Sequence, residues 1–186
     1  MSKIRLYGAT SGYVDVAAPA VADDATLTLP TGAVGFGKML QVVSTAKTDT
    51  FSTTSTSFTD VTGLTVSITP AAATSKVLII AQVALSSNAN GTSLRVNGGN
   101  ATNYVGDASG SRIQAIIGGS SMAIAGFQDA MTLVYLDSPA TTSSTTYAVQ
   151  IRVASSTAYI NRSDTDVDSA DFARGASSIT VVEVAA

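Results

Sequence analysis

The chain has 186 residues, a length that suits one domain or a compact domain with an arm. Hydrophobic residues make up 45% and charged residues only 12%, roughly half the usual charged share, so Ser, Thr, Asn and Gly must solvate the surface. The net charge of −3 and ten scattered basic residues exclude a phosphate-binding stripe and hence nucleic acid as the main partner.

In chain order, short β-branched runs recur between Ser/Thr/Asn/Gly/Asp clusters, and no segment keeps a helical period. Strands are expected at Lys3–Tyr7, Tyr13–Val16, Thr26–Leu29, Met39–Ser44, Thr65–Thr69 and Val77–Leu85. They continue at Ser93–Val96, Arg112–Ile117, Met131–Asp137, Thr146–Val153, Thr157–Ile160 and Ser178–Val184. Residues 1–37 differ from the rest: their strand-like pieces are broken by Gly8, Gly12, Pro19, Pro30 and Gly32 and hold little apolar material. They read as an anchoring arm, and residues 38–186 as the globular body. Many short strands with no helix point to an all-β fold, a jelly-roll-like β-sandwich with an extended N-terminal β arm.

Alternation assigns faces. Tyr147, Val149, Ile151 and Val153 share one side of their strand, opposite Thr146, Ala148, Gln150 and Arg152; Val66 and Ile68 oppose Thr65, Ser67 and Thr69. The runs Val77–Leu85 and Ser178–Val184 are apolar on both parities. They are expected to be central strands, covered on both faces by a second sheet or another subunit.

Catalytic chemistry has few carriers here. Without His or Cys there is no Ser-His-Asp or Cys-His pair, no His or thiolate zinc ligand and no disulfide. A carboxylate pair could hydrolyse a glycoside, but no acidic residue lies in an aromatic-rich stretch and there is no Trp. The reading is of a protein that is not an enzyme, with no catalytic residue and no cofactor. Gly32-Ala-Val-Gly-Phe-Gly37-Lys38 imitates a phosphate loop, yet Met39 stands where Ser or Thr should bind magnesium and a strand pattern follows instead of a helix.

Asp164, Asp166 and Asp168, with Asp171 beyond, alternate like the start of a calcium loop. Ser169 and Gly175 stand where the EF-hand pattern needs Gly and Glu, which favours a solvated connection between strands over a calcium site. Asn90-Gly-Thr92, Asn100-Ala-Thr102 and Asn161-Arg-Ser163 match the glycosylation pattern and are read as unmodified turn residues. The opening MSKIRLYGATSGYVDV lacks the apolar core of a secretory signal, and no apolar run could span a bilayer, so cytoplasmic synthesis and no membrane partner are expected. The Asn- and Gly-rich stretch 86–111 is the candidate recognition loop. Asn88, Asn90, Arg95, Asn97, Asn103 and Tyr104 either contact a host-surface glycan or protein there, or only form turns.

A likeness to a known group rests on KIRLYGATSGYVDVAAPAVADDATLTLPT at the start and on FTDVTGLTVSITP (Phe58–Pro70), SKVLIIAQVALS (Ser75–Ser86) and GDASGSR (Gly106–Arg112). LDSPATTSSTTYAVQIR (Leu136–Arg152), STAYINRS (Ser156–Ser163) and SSITVVEV (Ser177–Val184) extend it. The chain resembles tail-fibre and head-fibre proteins of tailed bacteriophages, particularly marine ones. That resemblance implies a virion structural protein at the particle surface, a homotrimer whose N-terminal arms hold other virion proteins of the capsid or tail. The chain has no long shaft, which favours a short capsid-surface fibre or decoration protein over a tail fibre. A host-receptor-binding adhesin is the alternative.

Overall fold

Period-2 alternation, with Gly and Asn where the chain must reverse, translates directly into antiparallel strands. The computed structural model describes residues 3–7, 13–17, 38–88, 91–120 and 126–186. Two compact units are present, Met1–Gly35 and Phe36–Ala186. In the first, β1 (Lys3–Tyr7) and β2 (Tyr13–Ala17) form an antiparallel pair, Lys3 opposite Ala17 and Tyr7 opposite Tyr13. The strand expected at Thr26–Leu29 and the loop Gly32–Gly37 lie outside the described residues.

The second unit contains β3 (Met39–Lys47), β4 (Phe51–Thr53), β5 (Thr59–Ile68), β6 (Lys76–Ser87), β7 (Thr92–Asn97) and β8 (Ile117–Ser120). These are followed by β9 (Asp129–Asp137), β10 (Thr145–Arg152), β11 (Ala158–Ile160) and β12 (Ser177–Val184). One sheet runs β5-β10-β7-β8; the other is built on β6, with β12 and then β3 on one edge and β9 on the opposite edge. At twelve residues β6 outruns β12, and β11 takes up the vacated end of that edge at Leu85–Ser87, itself paired with β4. All these pairings are antiparallel. The strands β3, β5, β6, β7, β8, β9, β10 and β12 are dealt between two four-stranded layers in the order of a jelly roll.

The inward parity of each strand forms one core. Val77, Ile79, Ala81, Val83 and Leu85 of β6 face Tyr147, Val149 and Ile151 of β10, with Val66 and Ile68 of β5, Leu94 and Val96 of β7, Leu133 of β9, and Ile179 and Val181 of β12. The faces expected from alternation at 146–153 and 65–69 are the ones observed. Both runs that are apolar on each parity, β6 and β12, occupy central positions.

Glycine decides one register. In β5, Thr65 pairs with Ala148 while Asp60 pairs with Gln150, so the extra residues bulge out. Gly63 sits in that bulge at φ +81°, which an L side chain rarely adopts, and it lets Val61 and Leu64 both turn inward.

One expected strand is displaced. Arg112–Gln114 are exposed and irregular, closed by Gly106 N donating to Ala115 O at 3.1 Å and Arg112 N to Ser109 O at 3.2 Å; the strand begins only at Ile117. The β-branched character of 113–117 finds a pairing edge on β7 only from Leu94↔Ile117 onward, and without an edge propensity makes no strand. The sequence pattern does not predict the three-residue β4, which among the described residues pairs with β11.

Candidate interaction surface

The outward parity of the β6 sheet carries the most unusual chemistry of the body. Cross-strand register stacks it in rows. Val42, Val182, Leu78 and Leu136 form one row, and Ser44, Thr180, Ile80 and Val134 the next. Beyond them lie Ala46, Ser178, Gln82 and Thr132. At the other end a register slip opposite Glu183 and Val184 brings Met39 beside Val184. Exposure is high where water should be least welcome: Met39 71%, Val42 59%, Val134 51% and Leu136 50%. Apolar residues thus cross all four strands as a contiguous band, with a hydroxyl-bearing zone beside it. Contiguous apolar patches of this kind mark interaction surfaces, whereas isolated exposed hydrophobics do not.

Beneath this face two buried carboxylates hold the sheet rigid. Asp137, at the end of β9, is fully buried and accepts from the Tyr147 hydroxyl at 2.6 Å and from Asn100 N at 3.2 Å. Because Tyr147 belongs to β10, this contact ties the two sheets together. Burial, then the hydrogen bond to Asp137, pushes the Tyr147 phenol well above its ordinary value, so it stays a donor. Gly99 makes the arrangement possible, since a Cβ there would collide with the Asp137 carboxylate and the Tyr147 hydroxyl. Glu183 of β12 accepts from Gln41 Nε2 at 2.6 Å and from Ala71 N at 2.7 Å. Burial pushes its carboxyl up, but hydrogen bonds from Gln41, Ser75 and the 71–72 backbone outweigh that and hold it below the ordinary range.

A third buried polar group fixes the far end of the sheet. Asn161, at φ +62°, donates to Lys47 O at 2.8 Å and Asp49 O at 2.9 Å and accepts from Ser177 Oγ at 2.6 Å. It thereby joins the end of β3, the turn leading into β4 and the start of β12. Full burial explains why the Asn161-Arg-Ser163 pattern reads as structure. Lys47 is buried beside it and reaches Asp49 at 2.8 Å, holding the Asp49 carboxyl below its usual value.

The outward face of the β10 sheet is different in kind. Arg95 Nε donates to Gln150 Oε1 at 2.8 Å, and Gln150 Nε2 to Asp60 Oδ1 at 2.7 Å, a relay across β7, β10 and β5. Arg95 also lies 4.1 Å over the Phe58 ring, Ser67 and Thr146 hydroxyls share a bond of 2.7 Å, and Arg152 Nε donates to Thr56 O.

The described residues of the candidate recognition loop, Asn88, Arg95, Asn97, Asn103 and Tyr104, are spread along β7 and both its ends. Asn88 precedes β7 and is engaged by Ser156 Oγ at 2.8 Å and Thr157 N at 3.2 Å. Asn103 and Tyr104 follow β7, whose six residues separate the two ends by about 20 Å. Arg95 is held in the polar relay, Asn97 closes β7 opposite Ala148, and Asn90 lies outside the described residues. At the Asn103 end, Tyr104 stacks on Tyr135 with centroids 4.2 Å apart and planes 12° apart. Tyr104 lines a shallow cleft of about 280 Å³ with Val105, Gly106, Ala115 and Ile116.

Of the alternating aspartates, Asp164 caps Gly126 N at 2.8 Å and Thr165 N at 2.9 Å, and Asp168 is exposed. Asp166 is bracketed by Arg162 at 3.0 Å and Arg174 at 2.9 Å, two guanidiniums that already neutralise it. Among the described residues no three acidic side chains converge as a metal site. Nor does any helix among them have the length and apolarity to cross a membrane.

Part of the apolar band is visible in the sequence. Two-parity apolarity marks β6 and β12, and MLQVV of β3 and MTLVYL of β9 carry the same signal over a shorter span. Nothing local signals the Asp137–Tyr147 contact or the paired tyrosines, because each joins residues from different strands or loops.

No protein-family profile matches the chain, and no curated protein does. Among solved structures it is similar to one described as the structure of infectious bursal disease virus, Gx strain. The identity is 14% and the TM-score 0.34, with 95% of this chain and 47% of that chain covered. The chain therefore spans about half the length of the solved chain it matches, and at that similarity nothing about role or partners transfers.

Proposed function

We propose that the chain is a structural protein of a tailed-bacteriophage virion, a short capsid-surface fibre or decoration protein. Residues 1–37 anchor it to other virion proteins, and residues 38–186 are displayed as a homotrimeric β body at the particle surface. The observation that carries this reading is the uncharged apolar band on the outward β6 sheet, which an isolated monomer would leave in water. A rigid jelly roll with one such face is suited to assembly, and the fold alone would not distinguish a function. The phage resemblance of the sequence supplies the particle.

Mass spectrometry of purified particles should find the chain in fixed copy number; its absence would overturn the reading. Particles made without it should adsorb to host cells normally and lose resistance to heat or osmotic shock. Deleting residues 1–37 should leave a folded body that no longer joins particles.

One observation favours the adhesin alternative. Tyr104 is half exposed over its cleft, and an open aromatic face is what the C–H face of a sugar ring packs against. Under that reading Tyr104→Ala abolishes binding of the purified protein to host-surface glycan, and particles lacking the chain adsorb poorly while staying robust.

A further inference from the structure

We infer that the outward face of the β6 sheet is the surface through which copies of this chain bind one another, the band Met39, Val42, Ile80, Val134 and Leu136 of one copy packing on the same face of the next. The inference rests on the assembly reading above and specifies where that assembly is made.

Three properties of the face point to a second copy. Its charge is the first. The chain carries 13 acidic and ten basic residues, and burying any of them in a contact costs desolvation unless it is paired. Along the rows of this face the one ionisable side chain is Lys76, at the rim, with its Nζ donating to Ser138 Oγ at 2.7 Å. The β10 sheet, by contrast, presents Asp60, Arg95 and Arg152. The uncharged face can meet itself with no charge to desolvate and none opposed.

Its area is the second. Four strands about 4.8 Å apart and nine residues long at about 3.3 Å each give a flat footprint on the order of 500 Å². The accessible area of a corrugated side-chain surface exceeds its projection. The face is therefore comparable to the roughly 800 Å² per partner of a standard interface.

Its patterning is the third. The apolar band lies beside a zone of Ser44, Thr180, Ser178, Gln82 and Thr132, whose hydroxyls and amide both donate and accept. Such groups pair with copies of themselves as readily as with a foreign partner, which suits like faces of three copies gathered around a common axis.

The test uses the full-length chain. Light scattering across a dilution series should give an oligomer at micromolar concentration. Leu136→Lys and Val134→Lys each place a charge in the band and should weaken association by at least about 100-fold. Both positions are already half exposed, so the variants should keep the wild-type circular dichroism and melting temperature measured below the dissociation concentration. Ser67→Lys, on the outward β10 sheet, should leave association unchanged. A monomeric wild-type chain, or lysine variants that are folded and still fully associated, overturns the inference. Particle mass spectrometry separates this outcome from the virion reading: a chain present in particles but monomeric in solution sinks the interface alone. An oligomer absent from particles sinks the virion assignment alone.

Discussion

The two outward faces of the sandwich share one backbone architecture and one core, yet they solve the surface problem in opposite ways. On the β10 sheet outward polar and charged groups bond one another across strands, as in the Arg95–Gln150–Asp60 relay and the Ser67–Thr146 pair. On the β6 sheet the equivalent rows carry Val, Leu and Ile, with hydroxyls only toward one end. A chain with 12% charged residues has little charge to distribute; the β10 face carries Asp60, Arg95 and Arg152, and the rows of the β6 face carry only Lys76 at the rim. Strand pairing does not require this, since either side of a pleated sheet accepts polar residues. The difference therefore reports what each face meets: water on one side and apolar protein surface on the other.

The largest effects should come from the layer the two faces share. Tyr147→Phe removes a hydroxyl that joins the two sheets and leaves a buried carboxylate short of a donor. It should cost about 3 kcal/mol in urea unfolding. An unchanged midpoint would mean the two sheets do not depend on this contact. Next in size is Glu183→Gln beneath the apolar band, at about 2 kcal/mol at neutral pH. Its carboxyl is depressed in the fold, so its contribution is complete above the ordinary value of 4.5 and is lost as pH falls through the lower folded value. Melting temperature against pH should therefore drop more steeply on the acid side for the wild type than for Glu183→Gln.

A smaller pair of changes separates the faces directly. Gln150→Ala breaks the polar relay and should cost about 1 kcal/mol whether or not copies associate. Val134→Thr should alter the dissociated chain by less than about 0.5 kcal/mol, because the side chain is half exposed, and act only on association. Equal effects of Val134→Thr on dissociated and associated protein would erase the distinction between the faces.

Much of this was legible along the chain because β structure has a period of two. Alternation at 146–153 and 65–69 names the inward residues without reference to any partner, and apolarity on both parities marks β6 and β12 as central. Legibility failed where a segment's state depends on an edge supplied from elsewhere. Arg112–Gln114 has the residues of a strand and no edge, while Phe51–Thr53 has an unremarkable sequence and the edge of β11. It failed also where polar groups meet across the fold. Asp137 and Tyr147 are near in sequence but on different sheets, and no local pattern says that their side chains converge.

The sequence by itself therefore determined an all-β sandwich, the inward faces of its strands and the absence of His and Cys chemistry, since composition and alternation are properties of neighbouring residues. Only the tertiary structure decided that the second apolar parity of β6, β9, β12 and β3 falls in register on one open face. It likewise decided that Asn88 stands at one end of β7 and Asn103 and Tyr104 at the other. Register between strands distant in sequence is set by how the whole core packs, and no window of the chain contains that information.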